Sequence, residues 1–249
     1  MVRLSKSIVT AVVLAIVATI GDVPSAAAQD EGWEFVVAPY FLAPYMSGSV
    51  SVRGLDQEVD AGAGDIFDKL TFGGMLALEA HSPDWAIALD GIYMGLAQDL
   101  PNAEGKVDFD QGVVQISGFR RVAPWAEVLI GGRLNVLGGS LYRAGIVLPD
   151  TLDVGESKVW FDPFVGARLQ VPRTDGLRLG VRADVGGLGI GSQIAWQIYP
   201  VIGYRFAPWF ELAAAYRWLS MDYETGTTTD RFAYDVTTFG PEIGLVFHF

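Results

Sequence analysis

Few side chains in this sequence could form a catalytic or metal site. The chain has two histidines, His81 and His248, and no cysteine, so thiolate nucleophiles, thiolate metal ligands and disulfides are excluded. His81 precedes Ser82, but nucleophilic catalysis also needs a third group that orients the base, and Ser is a common turn residue. We therefore predict that the chain is not an enzyme and binds no cofactor.

Acidic residues are concentrated in three stretches that separate apolar segments. Their oxygen atoms could hold Ca²⁺ or Mg²⁺, but their spacing matches no calcium loop. Because charges on exposed loops need no special reason, we predict a solvated acidic surface and no metal site. The stretches contain Asp56, Glu58, Asp60, Asp65 and Asp68, then Asp150, Asp153 and Glu156, and finally Asp222, Glu224 and Asp230.

The segments between these stretches alternate apolar and polar residues with a period of two. Residues 193–206 place Ile194 on one face and Gln197 on the other, as in a β-strand. In one segment the register stays open, because Phe119 and Arg120 favour opposite faces. The chain is predicted to be all-β, with ten antiparallel strands and eight as the alternative. The ten segments are near 33–43, 70–80, 85–97, 107–120, 125–138, 159–171, 177–187, 193–206, 209–221 and 233–249.

One face of the clearest strands is free of charge, and the connections between strands are sorted by length. Connections after even-numbered strands are short, such as residues 207–208, and those after odd-numbered strands are mostly longer, such as residues 44–69. Both features are typical of an up-and-down transmembrane β-barrel whose short turns face the periplasm. With an even number of strands, both termini are predicted to be periplasmic.

The first 28 residues have the features of a secretory signal. Arg3 and Lys6 charge the start, residues 8–20 form an apolar run, and residues 26–28 are three alanines suited to cleavage. No later segment has the roughly 18 apolar residues that a membrane-spanning helix needs. We predict a signal peptide over residues 1–28 and a single barrel domain over residues 29–249.

Charged residues occupy the inward face of the predicted strands. The lumen of a small barrel is narrow, so Arg and carboxylate side chains from opposite walls can meet and satisfy each other. We predict a salt-bridge network that fills the lumen, with an ion-conducting path as the alternative. The residues are Glu79, Asp90, Glu127, Arg133, Asp162, Arg168, Arg178, Arg182, Asp184, Arg205, Glu211, Arg217 and Glu242, with Glu34 in the first strand.

A short motif marks two of the predicted turns. Residues 121–127 (RVAPWAE) recur as residues 205–211 (RFAPWFE). Proline fits a turn outside the strand ladder, and tryptophan prefers the membrane interface. Residues 82–85 (SPDW) are a looser version, and Trp33 opens the first strand. We therefore predict that Trp33, Trp85, Trp125, Trp209 and the terminal Phe249 form a periplasmic aromatic girdle, with packing in a core as the alternative for the tryptophans.

Three further motifs carry a family resemblance. They are residues 162–169 (DPFVGARL), 90–93 (DGIY) and 216–219 (YRWL). They resemble a widespread group of small Gram-negative outer-membrane β-barrel proteins, often grouped with porin-like barrels and with barrels similar to OmpA and OmpW. The resemblance covers essentially the whole mature chain. It implies a fold and a location in the bacterial outer membrane, and it carries no established activity.

The predicted location determines the partners. Outer-membrane lipid, including lipopolysaccharide, would contact the barrel, and periplasmic chaperones and the barrel-insertion machinery would assist its assembly. In barrels of this kind a terminal aromatic such as Phe249 resembles the signal that this machinery reads. The net charge of −12 makes nucleic acid a poor partner. We predict a non-catalytic envelope barrel with a structural or surface-binding role, with a narrow porin-like channel for small solutes or ions as the alternative.

Overall fold

The computed structural model describes residues 32–52, 55–99, 105–143, 157–227 and 230–249. The predicted signal peptide, residues 1–28, lies outside these ranges, as does the acidic stretch around residue 153. The predictions for these segments stay predictions.

The described chain is almost entirely β-strand, and every strand pairing is antiparallel. Alternating residues give each strand one inward and one outward face. The elements are β1 (Glu34–Leu42), β2 (Tyr45–Val52), β3 (Leu55–Ala61), α1 (Ala63–Lys69), β4 (Leu70–His81), β5 (Trp85–Asp99), β6 (Gly105–Ala123), β7 (Ala126–Arg143), β8 (Lys158–Thr174), β9 (Leu177–Gly187), β10 (Ile194–Ala207), β11 (Phe210–Thr225) and β12 (Phe232–His248).

Ten strands close into a barrel, which confirms the predicted fold class and strand number. β1 and β4 to β12 are hydrogen-bonded in order, and β1 pairs with β12 to close the ring. Phe35 and Phe249 exchange two backbone hydrogen bonds at the seam, of 3.1 and 2.9 Å. We call the end with the short connections at 82–84, 124–125 and 175–176 the lower end, and the opposite end the upper end.

The connection predicted over residues 44–69 has more structure than expected. β1 pairs with the C-terminal half of β12 and β2 with its N-terminal half, so the two strands form one interrupted strand. The interruption falls at Pro44, which has no backbone donor, and opposite Gly240, where a Cβ atom would lie 2.0 Å from the carbonyl oxygen of Ala43. The hairpin of β2 and β3 therefore extends the barrel wall at the upper end.

A short helix, α1, follows this hairpin. A helical turn is expected here with Asp65 as its cap, but the N-cap is Gly62 and Asp65 lies inside the first turn. The Asp65 carboxylate accepts a hydrogen bond of 3.1 Å from the Gly62 N–H. Ile66 is the buried residue of the helix and turns it toward the barrel interior. Among the described residues, no helix is long and apolar enough to cross a membrane.

The outer surface of the barrel is apolar. Side chains such as Ile130, Val165, Ile202 and Leu245 are exposed, although a water-soluble barrel would bury this class of residue. Phe119 settles the open register of its strand, because it is buried in the lumen with 1% of its surface exposed. The outer face of the barrel thus exposes a continuous set of apolar side chains.

Aromatic side chains surround the lower end of the barrel. Trp85, Trp125, Trp209 and Phe249 are each more than half exposed and lie at strand ends. The guanidinium of Arg120 stacks over the Trp85 ring at 4.5 Å. The charged residue that left the register of β6 open in the sequence therefore lies at the lower end of the barrel. The predicted aromatic girdle therefore has the exposed geometry of an interface belt.

The outward face makes a depth-dependent prediction. Val165 lies near the middle of β8 and is exposed, and Val122 is exposed near the lower end of β6. If lipid surrounds the barrel, Val165→Arg should lower the free energy of unfolding by about 2–4 kcal/mol and Val122→Arg by about 0–1 kcal/mol. Denaturant titration of both variants in lipid vesicles measures this. Equal losses of unfolding free energy in the two variants would contradict a membrane midplane near Val165.

Candidate functional site

The lumen holds the charged residues predicted from the sequence, beginning with a cluster at the lower end. Nη2 of Arg205 lies 3.3 Å from the Glu34 carboxylate and 2.7 Å from Nδ1 of His248. His248 also contacts Glu34 at 2.7 Å. Glu211 is fully buried and accepts hydrogen bonds from Arg178, with Nη2 at 2.6 Å. The seam of the barrel is therefore crosslinked by ion pairs where β1 meets β12.

A second cluster lies on the facing wall of the lower end. Arg168 reaches Glu127 through Nε and Glu79 through Nη1, both at 2.6 Å. Its guanidinium also covers the Phe119 ring at 3.9 Å, and His81 lies 3.4 Å from Glu79. One guanidinium thus joins β4, β7 and β8 across the lumen.

A third cluster lies above these two, halfway along the lumen, with Arg217 at its centre. It donates to Asp90 at 2.7 Å and to Glu242 at 2.8 Å, and it lies over the Tyr199 ring at 4.7 Å. The hydroxyls of Tyr40 and Tyr199 donate to Asp90 and Glu242, at 2.5 and 3.1 Å. Both carboxylates therefore receive several donors, as buried charges require.

Arg133 and Asp184 form the most deeply buried pair. Neither side chain is exposed, and their shortest contact is 2.7 Å. Arg133 also donates to Gln115 at 3.2 Å, and Asp184 accepts from Arg182 at 3.1 Å and from Gln197 at 3.3 Å. With this pair, all but one of the residues predicted for the lumen network take part in ion pairs.

Asp162 is the exception, because the partners of its carboxylate in the described part of the chain are all uncharged. Its oxygens accept hydrogen bonds from neutral groups: the Ser192 N–H at 2.6 Å, the Ser192 hydroxyl at 2.9 Å, Asn135 at 2.8 Å and Trp160 Nε1 at 3.1 Å. Ser192 lies in the connection between β9 and β10. Asp162 therefore fastens this connection to the barrel wall.

That connection lies lower than its neighbours, which leaves a notch in the wall. The pairing of β9 with β8 ends at Gly186, opposite Phe164, whereas β8 begins six residues earlier, at Lys158. On the other side β10 begins opposite Asp222. Above the notch the Trp160 ring of β8 stacks on Tyr223 of β11, with centroids 4.3 Å apart and planes at 7°. This stack bridges the two walls of the notch.

The upper half of the lumen is filled by apolar side chains, which sequence reasoning missed. Each of them is at most 6% exposed although it faces the interior. The sequence does contain a signal for this packing, because the inward positions become apolar toward the upper strand ends. On the inward face Leu219 is the next residue after Arg217, and Ile92 is the next after Asp90. We call this set the apolar layer: Leu42, Met46, Ile66, Ile92, Met94, Val113, Leu137, Trp160, Ala195, Leu219, Met221, Tyr234 and Val236.

A polar cavity of about 200 Å³ occupies the lower half of the lumen. Glu79, Arg168, Arg182 and Arg217 line it, as do His81 and His248. No group of three or more His, Asp or Glu side chains in the described ranges could hold a metal ion. The cavity can accept water or a small ion, and the apolar layer separates it from the upper end.

Charged groups at the upper rim are paired differently. Glu224 and Arg231 contact each other at 2.7 Å with both side chains largely exposed. Hydrogen bonds from Thr227 hold the pKa of Asp230 below its usual value. These contacts shape the connection between β11 and β12 outside the barrel wall.

A closed antiparallel barrel with an apolar outer surface and its charges inside defines a transmembrane β-barrel. No protein-family model matches the sequence. No match to it was found among curated proteins.

Several solved structures are similar in fold to this chain. Ail, the attachment invasion locus protein of Yersinia pestis, shares 12% identity over 88% of this chain and 99% of its own, with a TM-score of 0.39. The NanC porin shares 10% over 86% and 98%, with a TM-score of 0.35. Neisserial surface protein A shares 13% over 87% and 99%, with a TM-score of 0.31. At these values the likenesses carry no argument about function.

Proposed function

We propose that this protein is a non-catalytic barrel of the bacterial outer membrane whose lumen is closed, with a structural or surface-binding role in the envelope. The apolar layer is the observation that carries the proposal. Ala195 and Met221 face the lumen and are 0% and 1% exposed, which supports an interior that is packed at their level. An ion passing this level would exchange most of its hydration for apolar side chains, which is costly.

The ion pairs below the apolar layer support closure for a second reason. Two guanidinium–carboxylate contacts cross the lumen between distant strands: Arg168 of β8 reaches Glu79 of β4 at 2.6 Å, and Arg217 of β11 reaches Asp90 of β5 at 2.7 Å. Opening a path would expose or separate buried charges, and an unpaired buried charge is strongly destabilising. The network therefore stabilises the closed form of the barrel.

A narrow channel for small solutes or ions is the alternative. The polar cavity in the lower half supports it, since carboxylates such as Asp90 and Glu242 line that cavity and acidic side chains favour cations. Conduction would also require the apolar layer to move aside. The two functions thus differ in whether the lumen passes current. Single-channel recording in a planar lipid bilayer distinguishes them.

In this proposal the upper end of the barrel faces the outside of the cell. The hairpin of β2 and β3 and α1 expose acidic side chains there, including Asp56, Glu58 and Asp68. The lower end, with the short turns and the C-terminus, would face the periplasm, and lipid or lipopolysaccharide would cover the outer face. We also propose that the barrel-insertion machinery recognises the exposed Phe249. Deletion of Phe249 should then lower the yield of inserted protein.

Orientation can be tested with single cysteines, because the chain has none of its own. Ser49 is exposed on the upper hairpin, and Thr174 is exposed beside a lower turn. In intact cells an impermeant thiol reagent should label Ser49→Cys and leave Thr174→Cys unlabelled until the envelope is permeabilised. Labelling of Thr174→Cys alone in intact cells would invert the orientation and refute the proposed surface role of the hairpin.

A further inference from the structure

A pocket of about 240 Å³ lies at the upper end, bordered by Met46, Ile66, Tyr234 and Val236 of the apolar layer. Val50 and Val59 of the hairpin form one wall, and Leu96 and Phe109 belong to strands β5 and β6 on another side. Ile66 of α1 also lines the pocket. The enclosing surface is therefore predominantly aliphatic and aromatic.

The polar groups of the pocket are already engaged or lie at its rim. The Tyr234 hydroxyl accepts a hydrogen bond of 3.3 Å from Gln111. Asp65 is exposed, so the pocket reaches solvent where Asp65 lines it, and its carboxylate accepts from the Gly62 N–H. Lys69 lines the pocket one helical turn after Asp65, so the two charges offset each other. This chemistry gives no preference for a charged ligand.

Size and lining together define the ligand class. An apolar cavity of roughly 150 Å³ stays dry and holds benzene, because a water molecule needs two to four polar partners. The pocket here is larger, at about 240 Å³, and opens at one side. We infer that it binds a small neutral apolar molecule about the size of a substituted single aromatic ring. A ligand site of this kind is not part of the structural or surface-binding role proposed above.

Fluorine NMR with para-fluorotoluene tests the site. The protein is placed in lipid nanodiscs, and empty nanodiscs report partition into lipid alone. We expect a saturable, protein-dependent signal from the probe. Val59→Trp should fill the pocket and weaken binding at least about tenfold, whereas Val165→Trp, a matched change on the exposed outer face, should leave binding unchanged.

Two further arms keep the outcome decisive. Val59→Leu is a milder filling change that should also weaken binding, although less than Val59→Trp. It provides the test if the tryptophan variant folds poorly. para-Fluorobenzoate should bind more weakly than the neutral probe. Linear, unsaturable signals that are equal in all variants would overturn the site. Tighter binding of the benzoate that is lost in Lys69→Gln would overturn the neutral ligand class.

Discussion

Replacing Arg217 with methionine is expected to destabilise the barrel strongly. Arg217 is 4% exposed and joins Asp90 and Glu242 with contacts of 2.7 and 2.8 Å. Methionine keeps much of the length but leaves two buried carboxylates without their cation. Removing one partner of a buried ion pair costs about 3–5 kcal/mol. The free energy of unfolding from lipid vesicles, measured by denaturant titration, tests this.

Two controls separate the network from a general loss of charge. Arg231→Met removes the exposed partner of Glu224 and should change stability little, because exposed pairs contribute little. Adding Asp90→Asn and Glu242→Gln to Arg217→Met should recover part of the loss, because no buried charge then lacks a partner. A triple variant less stable than Arg217→Met would show that unpaired charge is not the cause.

Trp160→Ala is expected to have the second large effect. Trp160 is 5% exposed, stacks on Tyr223 across the notch at 4.3 Å, and donates to Asp162 and Ser192 at 3.1 and 3.0 Å. Removal of a buried Trp side chain costs about 3–5 kcal/mol through lost burial and the cavity that remains. The same unfolding titration measures the loss, and near-UV circular dichroism reports whether the aromatic stack is gone.

Trp125→Ala is the matched control for this change. Trp125 is 55% exposed at the lower end, so its removal leaves no internal cavity. Trp160→Phe should restore part of the stacking without the indole N–H, and should therefore lie between the wild type and Trp160→Ala. If Trp125→Ala were as damaging as Trp160→Ala, the stack would not be what holds the notch closed.

The barrel itself could be predicted from the sequence because each strand crosses the same two environments. Ile198 and Gln197 are adjacent, yet one is exposed on the outer face and the other is 1% exposed inside. A period of two records this difference directly. The short turns, with their Pro–Trp motif, then fix the order of neighbouring strands. Strand number and faces followed from these local signals.

The partners inside the lumen could not be predicted in the same way. Arg133 and Asp162 are opposite each other in the pairing of β7 and β8, yet Arg133 reaches Asp184 on β9 and Asp162 binds Ser192. Strand tilt and side-chain length decide these choices, and neither is written in the spacing. The β2–β3 hairpin was also missed, because it depends on β12 extending beyond β1.

Single-channel recording in a planar lipid bilayer tests the closed lumen most directly. Folded protein should insert without steady unitary current steps at moderate voltage, because the buried side chains of the apolar layer block the lumen. Insertion is verified independently by protease protection of reconstituted vesicles. Large, steady unitary steps from the wild-type barrel would contradict the account and establish the channel instead.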